Sequence, residues 1–322
     1  MRIAITGGAG FIGANLVRRM AVTEAVSEVR VVDDLSTGRV ENLAGMRVVQ
    51  YRGSILDPQV LDAAFQGVDA VVHLAALPSV PRSLSDPIAS HHANATGTLQ
   101  VLEAARRAGG VYVTAASSSS VYGAEARMPK VESMRAAPLS PYAVSKLATE
   151  AYLGAYYHSF GLPVLAFRLF NVFGPMQAAR HPYAAVIPKF IDAALGEGPL
   201  LIYGDGSQTR DFTYVDNVCR VLTEAVLNRR VSPDPVNLAF GGRVSLMSVV
   251  AMLERILGRT LPVTHSPPRA ADVPHSQADI SLARRLLGYE PAVGLREGLE
   301  RTVEYFRPLR ERKTAEQGAG TS

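Results

Sequence analysis

The chain predicts a doubly wound α/β fold on a parallel sheet, and three observations carry that prediction. Short β-branched runs alternate with helix-period segments through the first half. A glycine-rich turn joins the first run to the first helical segment. An acidic residue, Asp33, closes the second run 20 residues after the last glycine of that turn. Strand and helix in alternation require crossover connections, which place strands parallel and cover both faces of their sheet.

The runs RIAIT (2–6), VRVVD (29–33), DAVVHLA (69–75), VYVTAAS (111–117) and VLAFR (164–168) read as buried strands, being apolar on both alternating faces. Helical patterns lie between them at 13–20, at 96–108 with Gly109-Gly110 as a stop, and at 142–160 with Gly161 and Pro163 as a stop. Beyond about 175 the rhythm breaks and prolines become frequent. Helices are expected near 184–196, 216–229, 245–257 and 279–287, with Ser245 and Asp279 as N-caps and Gly258 and Gly288 as C-caps. A strand-like stretch near 236–239 is placed to return to the first sheet. The result is a large nucleotide-binding unit and a smaller interleaved lobe, with a cleft between them.

Composition narrows the function. The 322 residues are 48% hydrophobic and 19% charged, with a net charge of +4 and no basic run, so an anionic small molecule is favoured over nucleic acid. No apolar run is long enough to span a membrane, and the opening MRIAITGG does not read as a signal peptide. The single cysteine, Cys219, excludes an internal disulfide and fits a cytoplasmic protein. His91 and His92 are adjacent rather than at ligand spacing, so no metal is expected. The last residues, KTAEQGAGTS, read as a frayed end.

The turn TGGAGFIG (6–13) carries the first chemistry. Gly8, Gly10 and Gly13 fit G-x-G-x-x-G, and Gly7, Gly10 and Gly13 fit a three-residue spacing. Such a turn lets backbone N–H groups and a helix N-terminus approach a pyrophosphate. Asp33 stands where a carboxylate binds a ribose 2′-hydroxyl and repels a 2′-phosphate, which favours NAD over NADP.

The second signal is SPYAVSK (140–146). Among 12 tyrosines and four lysines, only Lys146 has a tyrosine four residues before it, Tyr142. Such a pair arises readily by chance, so its position carries the argument. On a helix the two share a face, and the ammonium and the helix N-terminus stabilise a phenolate. That makes a general base for a hydroxyl whose carbon loses hydride. The pair falls one strand–helix unit after AASSSSVYG (115–123), a polar end to an apolar strand, where parallel sheets bind ligands.

With TGGAGFIG, DDLSTG (33–38), HLAA (73–76), SSSSVYG (117–123), YAVSK (142–146), RLFNVFGP (168–175), RDFTYVDNV (210–218) and RAADV (269–273) in order, the chain resembles the extended short-chain dehydrogenase/reductases over about 1–306. ALPSVPRSLSDPI (76–88), PYAAVIPKF (182–190) and DVPHSQADIS (272–281) resemble the UDP-N-acetylglucosamine 4-epimerases within that family. The resemblance implies a Rossmann-type NAD domain over 1–175 and a UDP-sugar lobe over 176–313, with elements near 210–258 returning to the large domain. A flexible tail over 314–322 and a homodimer through helices near 96–108 and 142–160 are implied as well.

Carried over by position, Gly7, Gly10, Phe11, Ile12 and Gly13 line the pyrophosphate. Asp33 holds the adenosine ribose, and Asp34, Leu35, Ser36, Thr37 and Gly38 continue that wall. Ser54 and Ile55 meet the adenine, with Ser54 standing where the family usually has Asp; backbone groups or Asp57 are the other candidates there. Leu74, Ala75, Ala76, Asn94 and Ala116 flank the cofactor, and Lys146 reaches the nicotinamide ribose. Ser118 aligns with the catalytic Ser/Thr and Tyr142 with the base. Toward the substrate the resemblance places Pro78, Ser79, Arg82, Ser119, Asn171, Ala185, Val186, Tyr203, Arg210, Arg269, Asp272 and Ser276. Ser276 stands where glucose-restricted relatives carry a bulky tyrosine, leaving room for an acetamido group at carbon 2.

The expected activity is therefore NAD-dependent inversion of carbon 4 of UDP-GlcNAc/UDP-GalNAc and UDP-Glc/UDP-Gal through a 4-keto sugar. The alternatives are a UDP-glucuronate 4-epimerase, a nucleotide-sugar dehydratase and a non-catalytic nucleotide-binding protein. A 4,6-dehydratase needs an acid and a base directly after the catalytic Ser/Thr, where this chain has Ser119 and Ser120.

Overall fold

The computed structural model describes residues 1–180, 182–268 and 273–319, with side chains through 311. In chain order it contains β1 (Arg2–Thr6), α1 (Phe11–Met20), β2 (Glu28–Asp33), β3 (Val49–Arg52), α2 (Pro58–Phe65), β4 (Ala70–His73), α3 (Val80–Ser85), α4 (Pro87–His91), α5 (Gly97–Arg107), β5 (Tyr112–Ser118), α6 (Pro141–Phe160) and β6 (Val164–Leu169). Then follow β7 (Val172–Phe173), α7 (Val186–Leu195), β8 (Leu200–Tyr203), β9 (Thr209–Arg210), β10 (Thr213–Tyr214), α8 (Val215–Leu227), β11 (Val236–Leu238), β12 (Val244–Ser245), α9 (Leu246–Leu257), β13 (Val263–Ser266), α10 (Ser281–Leu287) and α11 (Leu295–Ala319).

Seven strands form one parallel sheet in the order β11-β6-β5-β4-β1-β2-β3. Both faces are buried, and each strand shares its residues between two cores. Ile3, Ile5, Val31 and Val72 enter the core beneath α1 and α8; Ala4, Val32, Val71, Val113 and Ala115 enter the core beneath α2, α5 and α6. This is why the strands read as continuous apolar runs. Strand order reverses between β1 and β4, so the loops after Thr6 and His73 part there and open a crevice at the carboxyl ends of the strands.

Several elements differ from the sequence expectation. The run at 69–75 pairs only over Ala70–His73, and the residues after it leave the sheet. The helix expected at 96–108 is entered through a π-helical turn at His92–Thr96, continuous with α4. The edge strand β3 and the helix α2 were not marked by periodicity. α11 carries the helix to Ala319, past the point where composition placed a tail, and contains Pro308. Asp279 accepts the Ser281 amide at 2.8 Å from one residue ahead of Ile280, which takes the N-cap position of α10. Ser245, Gly258 and Gly288 occupy cap positions as expected. No helix among the described residues is long and apolar enough to cross a membrane.

Candidate functional site

The crevice is a cleft of about 1190 Å³. At one end lies the glycine turn. Gly7 has φ of +70°, a left-handed conformation that favours glycine, and an added Cβ at Gly13 would lie 2.1 Å from the Gly7 carbonyl oxygen. α1 begins after Gly10 with no side-chain cap and no acidic residue in its first turn. The N–H groups at its start therefore face the cleft through Gly10, Phe11, Ile12 and Gly13, which line it. Asp33 also lines the cleft, and its carboxylate accepts the amides of Ala9 and Leu35, each at 2.9 Å. Burial pushes its carboxyl up from the ordinary value, and those two amides oppose the shift.

Asp34, Ser36, Thr37, Gly38, Ser54 and Ile55 continue the same wall. Leu35 does not; its φ of +61° turns it out of the wall and its side chain packs on the core. Ser54 Oγ accepts the Leu56 amide at 3.1 Å. Asp57, the other acid near that end, accepts the Gln59 amide as N-cap of α2 and does not line the cleft.

The centre of the cleft is built by β5 and α6. Ser140 caps α6 by accepting the Ala143 amide at 3.2 Å, and Pro141 fills the first helical position. Tyr142, Lys146 and Glu150 follow at four-residue spacing along the face turned to β5. The Lys146 ammonium donates to the Ala116 carbonyl at 2.9 Å. Burial lowers Lys146 to about 8, and the charge of Glu150 works against that. Glu150 is held by a buried bidentate ion pair with Arg168, at 2.9 and 2.8 Å, and by the Ser117 hydroxyl.

Ser118, the last residue of β5, and Tyr142, in the first turn of α6, both line the cleft. The phenol is pushed up by burial, opposed by Ser118, and the lowering by Lys146 expected from the spacing is not among the causes of its shift. His73, at the end of β4, is neutral and bridges Thr6 and Thr98 at 2.8 and 3.1 Å.

Leu74, Ala75, Ala76, Ala116, Pro78, Ser79 and Arg82 line the cleft. Asn94 does not: it is buried in the π-helical turn, where its side chain clamps the Leu77 backbone and its amide donates to the Ser145 hydroxyl at 2.9 Å. Ser119 also lies outside the lining. A second cavity of about 250 Å³ adjoins the first through Asn171, Val172, Ala184 and Ala185, and Val186, Lys189, Tyr203, Gln208 and Arg210 line it. Ser276 is not among the residues lining either cavity, and its amide donates to the Thr209 carbonyl at 3.1 Å beside β9. Arg269 and Asp272 lie outside the described residues. Sequence reasoning missed Gln177, Tyr183 and Tyr305 in the cleft wall, and the buried Glu150–Arg168 pair behind it. An arginine inside an apolar strand and a glutamate four residues after Lys146 were the available signals for the pair.

A family model described as "Epimerase: NAD dependent epimerase/dehydratase family" matches residues 3–239. This chain belongs to that family. As an NAD-dependent epimerase/dehydratase it is 36% identical over 314 residues to the UDP-glucose 4-epimerase of Mycolicibacterium smegmatis, covering 95% of this chain and 99% of that one. Its fold superposes with a TM-score of 0.90 on the UDP-N-acetylglucosamine 4-epimerase of Methanobrevibacter ruminantium in complex with UDP-N-acetylmuramic acid, at 34% identity, with 96% and 98% of the two chains covered. The UDP-glucuronic acid 4-epimerase of Bacillus cereus, solved with UDP-glucuronic acid and NAD, gives a TM-score of 0.88 at 32% identity, covering 96% and 100%. The family's cofactor is NAD, and the cleft fits it. The uncapped turn of α1 suits a pyrophosphate, and the Asp33 carboxylate suits a ribose diol and disfavours a 2′-phosphate.

Proposed function

We propose that this chain is a UDP-hexose 4-epimerase acting on UDP-GlcNAc/UDP-GalNAc and UDP-Glc/UDP-Gal. The observation that carries the reading is the meeting of Ser118, Tyr142 and Lys146 midway along one cleft, between the glycine turn and the cavity holding Tyr203 and Arg210. Gly7, Gly10 and Gly13 would hold the cofactor pyrophosphate and Asp33 its adenosine ribose. NAD, when bound, supplies a reversible hydride acceptor for carbon 4 of the sugar.

The protein supplies the proton chemistry. Tyr142 takes the proton of the 4-hydroxyl as the carbonyl forms and returns it when the carbonyl is reduced. Ser118 hydrogen-bonds the same oxygen. Lys146, charged below about 8, favours the phenolate. Arg210 and Lys189 offer positive charge to the uridine diphosphate, and Tyr203 a ring for uracil. Arg269 and Asp272 belong to the same reading by resemblance. The cleft volume supports rotation of a ketose that must present both faces. Ser119 and Ser120, in place of an acid–base pair, disfavour elimination. Room at carbon 2 belongs to the same reading by resemblance, through the small Ser276.

The test is turnover of a panel of UDP-sugars without added reductant, beside Tyr142→Phe. Interconversion of UDP-GlcNAc with UDP-GalNAc is expected, with UDP-glucose also accepted, since a roomy pocket rejects a smaller substituent only weakly. Tyr142→Phe is expected to lose turnover by about 10²–10⁴-fold, the usual worth of a general base. Normal turnover by that variant, or a wild type inert on every UDP-hexose, would sink the reading.

A further inference from the structure

The reaction has to hold its sugar between two half-reactions. Carbon 4 gives its hydride to NAD while the 4-hydroxyl gives its proton to Tyr142, and both must return before the sugar leaves. A 4-keto sugar that escapes carries the oxidised carbon away and leaves a reduced cofactor with nothing in the site to reoxidise it. A cleft of about 1190 Å³ gives the ketose room to turn, and room to leave unless its rim is closed.

The rim is bridged by Tyr183, in the segment that leads into α7, and by α3. Tyr183 and Arg82 both line the cleft, and Tyr183 is 36% exposed, which places it where the cleft meets solvent. The Arg82 guanidinium carbon lies 5.8 Å from the centroid of the Tyr183 ring. The Tyr183 hydroxyl meets the Ser85 hydroxyl at 3.3 Å, across 98 positions of the chain. Ser85 donates its own proton to the Arg82 carbonyl at 2.8 Å, so Tyr183 is the donor in that pair. On its other side the segment is anchored by Lys189, whose ammonium donates to the Pro182 carbonyl at 3.0 Å. Lys189 also lines the second cavity, so one side chain connects the cavity read as the diphosphate site to the bridge.

We propose that Tyr183 is a latch on the cleft, which by engaging Arg82 and Ser85 keeps the 4-keto sugar inside until hydride has returned. The inference rests on the reading of the chain as a UDP-hexose 4-epimerase. A closure that must open once in each turnover has to be made of modest contacts. A hydrogen bond between two exposed hydroxyls and a cation over an exposed ring are contacts of that strength.

Release is measured directly in Tyr142→Phe, which turns the sugar over too slowly to interfere. Displacement followed by stopped flow should show UDP-GlcNAc leaving the double variant Tyr142→Phe with Tyr183→Ala about tenfold faster than Tyr142→Phe alone, the worth of the two contacts together. UDP alone, which reaches only the second cavity, should leave both proteins at rates within about twofold of each other. Tyr183→Phe keeps the ring for Arg82 and loses the hydroxyl, and its release rate should fall between the two. Ser85→Ala removes the same hydroxyl contact from the α3 side and should match Tyr183→Phe, so the test does not depend on the folding of Tyr183→Ala. With Tyr142 intact, Tyr183→Ala should accumulate reduced cofactor during turnover, with one 4-keto sugar in solution for each. Unchanged release of UDP-GlcNAc, equal acceleration of UDP, or faster release with no build-up of reduced cofactor overturns the latch. Failure of Tyr142→Phe to bind any UDP-hexose, or normal turnover by it, overturns the underlying reading instead, so the two failures are distinguishable.

Discussion

His73 is a buried imidazole that carries no charge. Both ring nitrogens are engaged by threonine hydroxyls, and burial, with the Lys146 charge adding to it, lowers it to about 3. In the unfolded chain a histidine titrates near 6.5. Between those values the unfolded state binds the extra proton, so stability is full above about 6.5 and falls as pH falls toward 3, by about 1.4 kcal/mol per pH unit. Asp211 acts with the opposite sign. Burial raises it to about 6, so the folded state gains stability as pH falls from about 6 toward the ordinary carboxylate range. A comparison with His73→Asn isolates the histidine, because Asp211 is common to both proteins. Between pH 7 and pH 5 the wild type should lose about 2 kcal/mol more than the variant in urea unfolding. Parallel losses would mean that His73 is not the group responsible.

At the scale of elements, α6 and β6 are joined by charge where every neighbour is apolar or bonded. Arg168 points from the strand into a site formed by Glu150, the Glu132 carbonyl and the Tyr122 ring, whose centroid lies 4.7 Å from the guanidinium carbon. Tyr122 in turn donates to Asn237 on β11 at 2.7 Å. The network therefore ties the helix that carries Tyr142 and Lys146 to the far edge of the sheet. Removing one member leaves a buried charge without its partner. Glu150→Leu is expected to destabilise by about 3–5 kcal/mol, and Glu150→Leu with Arg168→Met should recover most of that loss. Equilibrium unfolding of the two proteins decides it; equal losses would show that the pair contributes nothing beyond its parts. A recovered fold with reduced turnover would place Glu150's remaining role at Lys146.

For the whole molecule, the outer side of α6 poses the question. Val144, Ala148, Ala151, Tyr152 and Ala155 fall at helical spacing on one face, and none is buried. Leu84 and Ile88, 56% and 67% exposed, stand on α3 and α4, which pack beside α6. A helix apolar on its outer face as well as its inner one needs a second cover. A second copy of this chain, meeting through α5 and α6, is the partner expected by resemblance. Sedimentation should give a dimer for the wild type and a monomer for Ala148→Glu with Ala151→Glu. A wild type that sediments as a monomer at micromolar concentration ends the proposal.

The sequence by itself determined the class of fold and the dinucleotide turn, because both rest on local patterns. Runs apolar on both faces report a sheet covered on both sides, and Gly7 and Gly13 report backbone approaches no side chain tolerates. The spacing of Tyr142 and Lys146 is likewise a property of one helix. What only the tertiary structure decided depends on residues far apart in the chain. The π-helical turn buries Asn94 against Leu77 and Ser145, and the backbone of Ser276 pairs with Thr209, 67 positions earlier in the chain. β3 was missed because four edge residues with exposed ends bury too little to mark a pattern. α11 was missed because its charged stretch and Pro308 hide a helix whose start is held in the core by Leu295, Leu299 and Val303. Burial also decided the balance at Tyr142. A neighbouring charge can be read from spacing, but the desolvation that opposes it exists only once β5 and α6 have closed around the phenol.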